Sequence, residues 1–240
     1  MCILLAIRRS RDAGDLWVAA NRDERLDRPW QAPMLLTSAP PVFGGRDLVG
    51  GGSWLAVNLE AGFLVGVTNA RRGAPPGERS RGRLVLDLAA ERSTAEALAL
   101  LSELDLARYG DFNLLLAAAK ECWLATNAPA SRIEGGKGTV VAIGNDPLDE
   151  PGERVIAAAE RGRALAEAGG ERLAEALQGL LADHVGADPL CRHGERYGTV
   201  CSSIVALRRG VVTSYLFAPG PPCTTPFQRL ELAGLGPTVH

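Results

Sequence analysis

The chain has 240 residues, 46% of them hydrophobic and 22% charged, with a formal net charge of −2. That length can bury a sizeable core, and the near-neutral balance gives no electrostatic case for nucleic acid or an anionic membrane. No apolar run approaches the ~20 residues of a membrane span, and the N-terminus lacks the basic region, long apolar core and cleavage site of a signal peptide. The expectation is one cytoplasmic domain over residues 1–240, with five scattered cysteines as free thiols.

The first apolar run, Ile3 to Ile7, and the second, Leu16 to Ala20, have strand length. Polar Arg8 to Asp15 reads as the loop of a hairpin between them. Antiparallel pairing then brings the polar exit of the second strand, Asn21-Arg22-Asp23-Glu24, beside Cys2. Proline-containing Arg25 to Pro41 reads as an ordered loop anchored by Trp30. The stretch Gly44 to Trp54 holds five glycines and reads as a rim lining the mouth of a site, with Trp54 at its end. No Gly-Lys-Ser/Thr follows it, so a phosphate loop is disfavoured.

A second hairpin joins Trp54–Asn58 to Phe63–Asn69. Asn69 closes a buried strand, where its amide either caps the turn or donates to an oxyanion. The following basic loop carries Arg71, Arg72, Arg79 and Arg81; it is either a solvated surface or a clamp for an anionic group. Leu84 to Leu106 has helical periodicity with two apolar stripes. Strands follow at Phe112–Ala118, with Asn113 near the start, and at Cys122–Thr126. Ser131–Gly138 reads as a loop and Thr139–Ile143 as a strand, with turn residues at Asn145-Asp146-Pro147. Pro151–Val185 is helical, broken at Gly169-Gly170. Cys191 and His193 lie in a polar loop. Their Cys-x-His spacing lacks a second ligand pair, so no metal site is expected. A last hairpin joins Thr199–Leu207 to Val211–Phe217, and the tail is Pro-rich. Strands grouped with strands and helices with helices argue for α+β layers, two antiparallel sheets under two helical layers.

Cys2 admits two readings. It is a small buried hydrophobe at a strand start, or it is a nucleophile. A small second residue permits removal of Met1, which leaves Cys2 with a thiol and a free α-amine. With ordinary pKa values of about 7.7–8.0 and about 8.5, the amine can serve as base for its own thiol. A nearby arginine would favour the thiolate, and a nearby aspartate would orient the amine.

The ordered motifs Met1-Cys2-Ile3, Ala20-Asn21-Arg22-Asp23-Glu24, Gly44-Gly45-Arg46-Asp47, Gly52-Ser53-Trp54-Leu55-Ala56-Val57-Asn58, Thr68-Asn69, Arg79-Ser80-Arg81-Gly82, Phe112-Asn113-Leu114-Leu115-Leu116-Ala117 and Tyr197-Gly198-Thr199 resemble those of the NRDE family, from Cys2 to about Phe217. The resemblance implies an N-terminal nucleophile (Ntn) hydrolase-like fold, a four-layer αββα sandwich. More distantly, the arrangement is similar to that of penicillin V acylases and bile-salt hydrolases. Carried over, that likeness makes Cys2 the nucleophile, Arg22 and Asp23 its activating and orienting partners, and Asn69 and Asn113 further catalytic residues. Asn21, Glu24, Trp54 and Arg71 are the expected substrate contacts. One departure stands out: where family members often carry an arginine after Tyr-Gly-Thr, this chain has Val200. The resemblance implies hydrolysis of a small linear amide without a cofactor. The alternative it offers is a haem-binding or haem-mobilising carrier, or a trafficking-related protein, on a hydrolase scaffold.

Overall fold

The computed structural model describes residues 2–9, 14–70, 77–136, 138–167, 170–232 and 234. Two antiparallel sheets face each other. The first contains β1 (Ile3–Arg9), β2 (Asp15–Arg25), β10 (Val140–Ile143), β11 (Tyr197–Arg208), β12 (Val211–Ala218) and β13 (Gln228–Arg229), in the order β10-β1-β2-β11-β12-β13. The second contains β3 (Trp30–Ser38), β4 (Pro41–Asp47), β5 (Leu55–Asn58), β6 (Phe63–Asn69), β7 (Phe112–Ala118), β8 (Cys122–Thr126) and β9 (Arg132–Gly135), in sequential order. Helices α1 (Arg81–Ala89) and α2 (Thr94–Glu103) cover the second sheet, and α3 (Glu153–Leu165) and α4 (Gly170–Leu181) cover the first.

Three apolar layers follow from that stacking. Leu4, Ala6 and Val18 of the first sheet meet Val57, Leu64 and Leu115 of the second. Val65, Leu114 and Leu116 pack under Leu84, Leu88 and Leu101. Ile3, Leu5 and Ile204 pack under Val155, Leu173 and Leu177. A strand apolar on both faces is what a sheet covered on both sides demands, which explains why Ile3–Ile7 is a continuous run without alternation. The result is the αββα layer order expected of the chain. Among the described residues no helix is long and apolar enough to cross a membrane.

Two stretches expected to be loops are strands. Residues 30–38 form β3, an edge strand, and Pro33 falls where its register with β4 shifts between Gln31 and Met34. An edge position with a register shift is where a strand tolerates a residue without N–H. Residues 132–135 form β9, the opposite edge of the same sheet. The side chains of both edge strands are half-buried or exposed, so their apolar signal is weak.

Candidate active site

The polar motif after the second apolar run proves to be part of a strand, and that decides where its side chains go. β2 continues to Arg25, pairing with β1 from Ile3↔Asn21 and with β11 up to Tyr197↔Arg25. Successive side chains of a strand point to opposite faces. Arg22 and Glu24 therefore face the second sheet, whereas Asn21 and Asp23 face the helices.

On the inter-sheet face lies a cleft of about 510 Å³. Its lining includes Cys2, Arg22, Asp23, Glu24, Trp54, Asn69, Arg81 and Asn145. Cys2 is half-buried, with its Sγ 4.0 Å from the carbonyl oxygen of Asp23. The Arg22 guanidinium is 4% exposed, stacks 4.4 Å from the Trp54 ring centroid and lies 3.7 Å from Glu24. Among the described residues its buried Nη1 has no hydrogen-bond partner. A buried guanidinium nitrogen without an acceptor costs free energy unless something supplies one, so Nη1 is poised for an anion or a carbonyl oxygen in the cleft. Trp54 is itself held edge-on by Trp30, with centroids 6.0 Å apart.

The glycine-rich rim packs against the start of α1. The Ser53 N–H donates to the Gly82 carbonyl at 3.0 Å. A Cβ on Gly52 would lie 2.0 Å from the Gly82 carbonyl carbon, so only glycine permits that approach. Arg28 holds Asp47 at the rim, with Nη2 to Oδ2 at 2.8 Å. Burial pushes the Asp47 carboxyl up, but the hydrogen bonds from Arg28 and from the Gly50 and Val49 N–H groups outweigh it and hold the carboxyl below its ordinary range. Burial pushes the Arg81 guanidinium down from its ordinary value, opposed by Cys2, Asp111 and Glu24 nearby. Arg81 donates to the Asp111 carbonyl at 3.0 Å.

Asp23 presents its backbone to the cleft and sends its carboxylate to the other face. There Oδ1 accepts from the Thr199 hydroxyl at 2.7 Å, and Oδ2 pairs with Arg154 at 2.7 Å and lies 3.9 Å from Arg192. Val200 enters the inter-sheet core, and the register between β2 and β11 shifts beside it, between Thr199 and Cys201. An arginine is thus absent after Thr199, while Arg154 of α3 and Arg192 from the segment before β11 approach Asp23 from elsewhere.

The remaining expected site residues separate. Asn69 is exposed at the end of β6 and lines the cleft. Asn113 is not among the lining residues: it is fully buried, and its Nδ2 donates to the carbonyls of Gly144 and Asp146 at 3.1 and 2.8 Å. The Thr68 hydroxyl also donates to Gly144. Asn113 therefore ties the second sheet to the turn after β10 rather than facing substrate. Asn21 is likewise fully buried. It donates to the carbonyls of Leu181 and Leu190 at 2.9 and 2.7 Å and accepts from Ser202 at 2.6 Å, which makes it a brace for the segment after α4. Arg71 lies outside the described residues.

Asn145 joins the cleft with no signal in the sequence to mark it. Its Nδ2 donates to the Asn69 carbonyl at 2.6 Å, and its buried Oδ1 has no partner among the described residues. The sequence shows an ordinary Asn-Asp-Pro turn. Only the pairing of β10 with β1, with Leu4 opposite Ile143, brings that turn beside Cys2.

A search of curated proteins finds no match. Among solved structures, the chain is similar to the Caenorhabditis elegans ortholog of N-acylethanolamine-hydrolyzing acid amidase. The TM-score is 0.62 at 14% identity, over 85% of this chain and 92% of that one. That likeness establishes the Ntn-hydrolase-like αββα fold. The family model described as Transport and Golgi organisation 2 matches residues 1–193, including every cleft residue named above. The chain belongs to the Transport and Golgi organisation 2 family, the NRDE family.

Proposed function

We propose that the chain is an N-terminal-nucleophile cysteine amidohydrolase acting on a small linear amide, with Cys2 as nucleophile once Met1 is removed. The observation that carries this reading is the placement of Cys2 in one cleft with Arg22, whose buried Nη1 has no partner among the described residues. The Ntn-hydrolase-like fold, shared with an amidase, supports the same chemistry. We read residues 1–240 as one cytoplasmic domain.

The α-amine of Cys2 takes the thiol proton, and the thiolate attacks the amide carbonyl carbon. Arg22 lines the same cleft as the sulfur. The Asn69 amide serves the oxyanion, with Asn145 holding the strand end that carries it. The C–N bond breaks as the α-ammonium returns its proton to the leaving amine. Water then hydrolyses the thioester with the amine as base. Asp23 acts at a remove: its carboxylate anchors Arg154 and Thr199, and its backbone borders the sulfur. Arg22, Arg79 and Arg81 in the lining favour an amide that carries a carboxylate. The same charged lining is a poor match for the large apolar plate of haem.

The test pairs intact mass with a panel of acyl-amino-acid substrates. Expected are loss of Met1 in the native host, acylation of Cys2, and no turnover from Cys2→Ala with substrate binding kept. Retention of Met1 throughout would sink the mechanism. So would the absence of any acylation together with saturable one-to-one haem binding, which would leave the carrier reading in place.

A further inference from the structure

Two of the cysteines and two of the histidines outside the cleft converge in space. His184, Cys191, His193 and Cys223 each offer one ligand atom, and these four atoms lie within 4.8 Å of one another. Cys191 Sγ is 3.6 Å from Cys223 Sγ and 3.8 Å from His193 Nε2, which is 3.1 Å from Cys223 Sγ. Tetrahedral zinc, with Zn–S of about 2.3 Å and Zn–N of about 2.0–2.1 Å, sets its ligands about 3.8 Å apart for two sulfurs and about 3.6 Å for sulfur and nitrogen. The Cys191–Cys223 and Cys191–His193 separations lie within about 0.2 Å of that tetrahedron, and the Cys223–His193 separation is about 0.5 Å shorter. They do not match a disulfide, whose sulfurs are about 2.05 Å apart.

The surroundings carry a second signature. His184 Nδ1 lies 3.1 Å from the Cys191 carbonyl oxygen. A ligating histidine usually donates its other ring N–H to such an acceptor. With the proton on Nδ1, Nε2 keeps its lone pair for a metal. Two thiolates and two neutral imidazoles neutralise a divalent cation and leave no coordination position open, the pattern of a structural site.

We propose that this cluster is a structural zinc site of the Cys2His2 type. Sequence spacing argued against one because Cys191 and His193 show no second pair nearby. The second pair is His184, just beyond α4, and Cys223, in the turn after β12. Binding displaces one proton from each thiol to solvent. The site also bears on the cleft. Arg192, between two ligands, donates its N–H to Thr199 Oγ1 at 2.9 Å, and the Thr199 hydroxyl donates to Asp23 at 2.7 Å. A metal here pins the segment that braces Asp23 from behind.

The test is elemental analysis of the full chain purified without chelator, followed by chelation and titration with zinc or cobalt alone. Expected are one zinc per chain, a lowered Tm on chelation that zinc restores, and visible absorption bands of tetrahedral thiolate-bound cobalt. Zinc should shield Cys191 and Cys223 of the unaltered chain from alkylation, a readout that needs no variant to fold. Cys223→Ser and His193→Ala should lose the metal, and Cys122→Ala should keep it. A metal-free chain that takes up neither ion, a Cys191–Cys223 disulfide in the freshly purified protein, or zinc retained by Cys223→Ser would each overturn the proposal. None of these outcomes depends on hydrolytic activity.

Discussion

Asp23→Ala isolates the buried ion pair behind the cleft. The Asp23 side chain is fully buried and that of Arg154 is 4% exposed, with 2.7 Å between their charged atoms. Removing one partner of such a pair costs about 3–5 kcal/mol, because the other charge stays in the interior uncompensated. Thr199 loses its acceptor as well. For a chain of this size each kcal/mol moves Tm by about 2–4 °C, so Asp23→Ala should lower Tm by about 6–20 °C. Replacing both members with apolar residues, Asp23→Leu with Arg154→Met, should recover much of that loss, since a buried pair is often no better than a packed apolar one. Thermal unfolding of the two single variants and the double variant at neutral pH gives the cycle. A drop below about 2 °C for Asp23→Ala, or a double variant as unstable as the sum of the singles, would refute the pairing. A second arm separates stability from chemistry: with the carboxylate on the face away from Cys2, Asp23→Asn should change Cys2 alkylation no more than its change in Tm explains.

Gly52→Ala places a Cβ 2.0 Å from the Gly82 carbonyl carbon and should cost about 1–3 kcal/mol while moving α1 off the rim, read as a lower Tm and weaker substrate binding. Asn113→Ala strips a donor from the carbonyls of Gly144 and Asp146 and should cost about 1–3 kcal/mol; an unchanged Tm would return Asn113 to the catalytic candidates. Because the Asp47 carboxyl is held below its ordinary value, its stabilisation is present above the unfolded value of about 3.9 and is lost as pH falls through the lower folded one. Asp47→Asn should therefore flatten the acid limb of a Tm-against-pH curve below about pH 4 and leave its slope near neutrality unaltered. Limiting iodoacetamide near neutral pH should label Cys2 first, because burial pushes the Cys122 thiol up to about 11 and the fully buried Cys201 thiol higher still; preferential labelling of Cys122 or Cys201 would contradict the burial described.

Apolar patterning determined most of the architecture. Continuous runs such as Ile3–Ile7 and Phe63–Val67 required sheets covered on both faces, and the helical stripes around Leu84 and Leu101 supplied one of the covers. The pairing of the first two strands already placed Cys2 next to Arg22, because adjacent antiparallel strands must run back beside each other. Tertiary structure decided what distant segments bring to the same point. The extension of β2 through Asn21–Arg25 split that motif between two faces, sending Asn21 and Asp23 toward the helices and leaving Arg22 and Glu24 with Cys2. No local signal separates a polar strand end from a polar loop, since β11 on the far side supplies the missing pairing. Asn145 and Asn113 exchanged expectations for a similar reason: the β10–β1 pairing put a plain turn at the cleft, and a buried carbonyl claimed the amide that the motif had suggested for catalysis. The histidine–cysteine cluster was least legible of all, because Cys223 reaches His184, Cys191 and His193 only once β11 and β12 have paired within the first sheet.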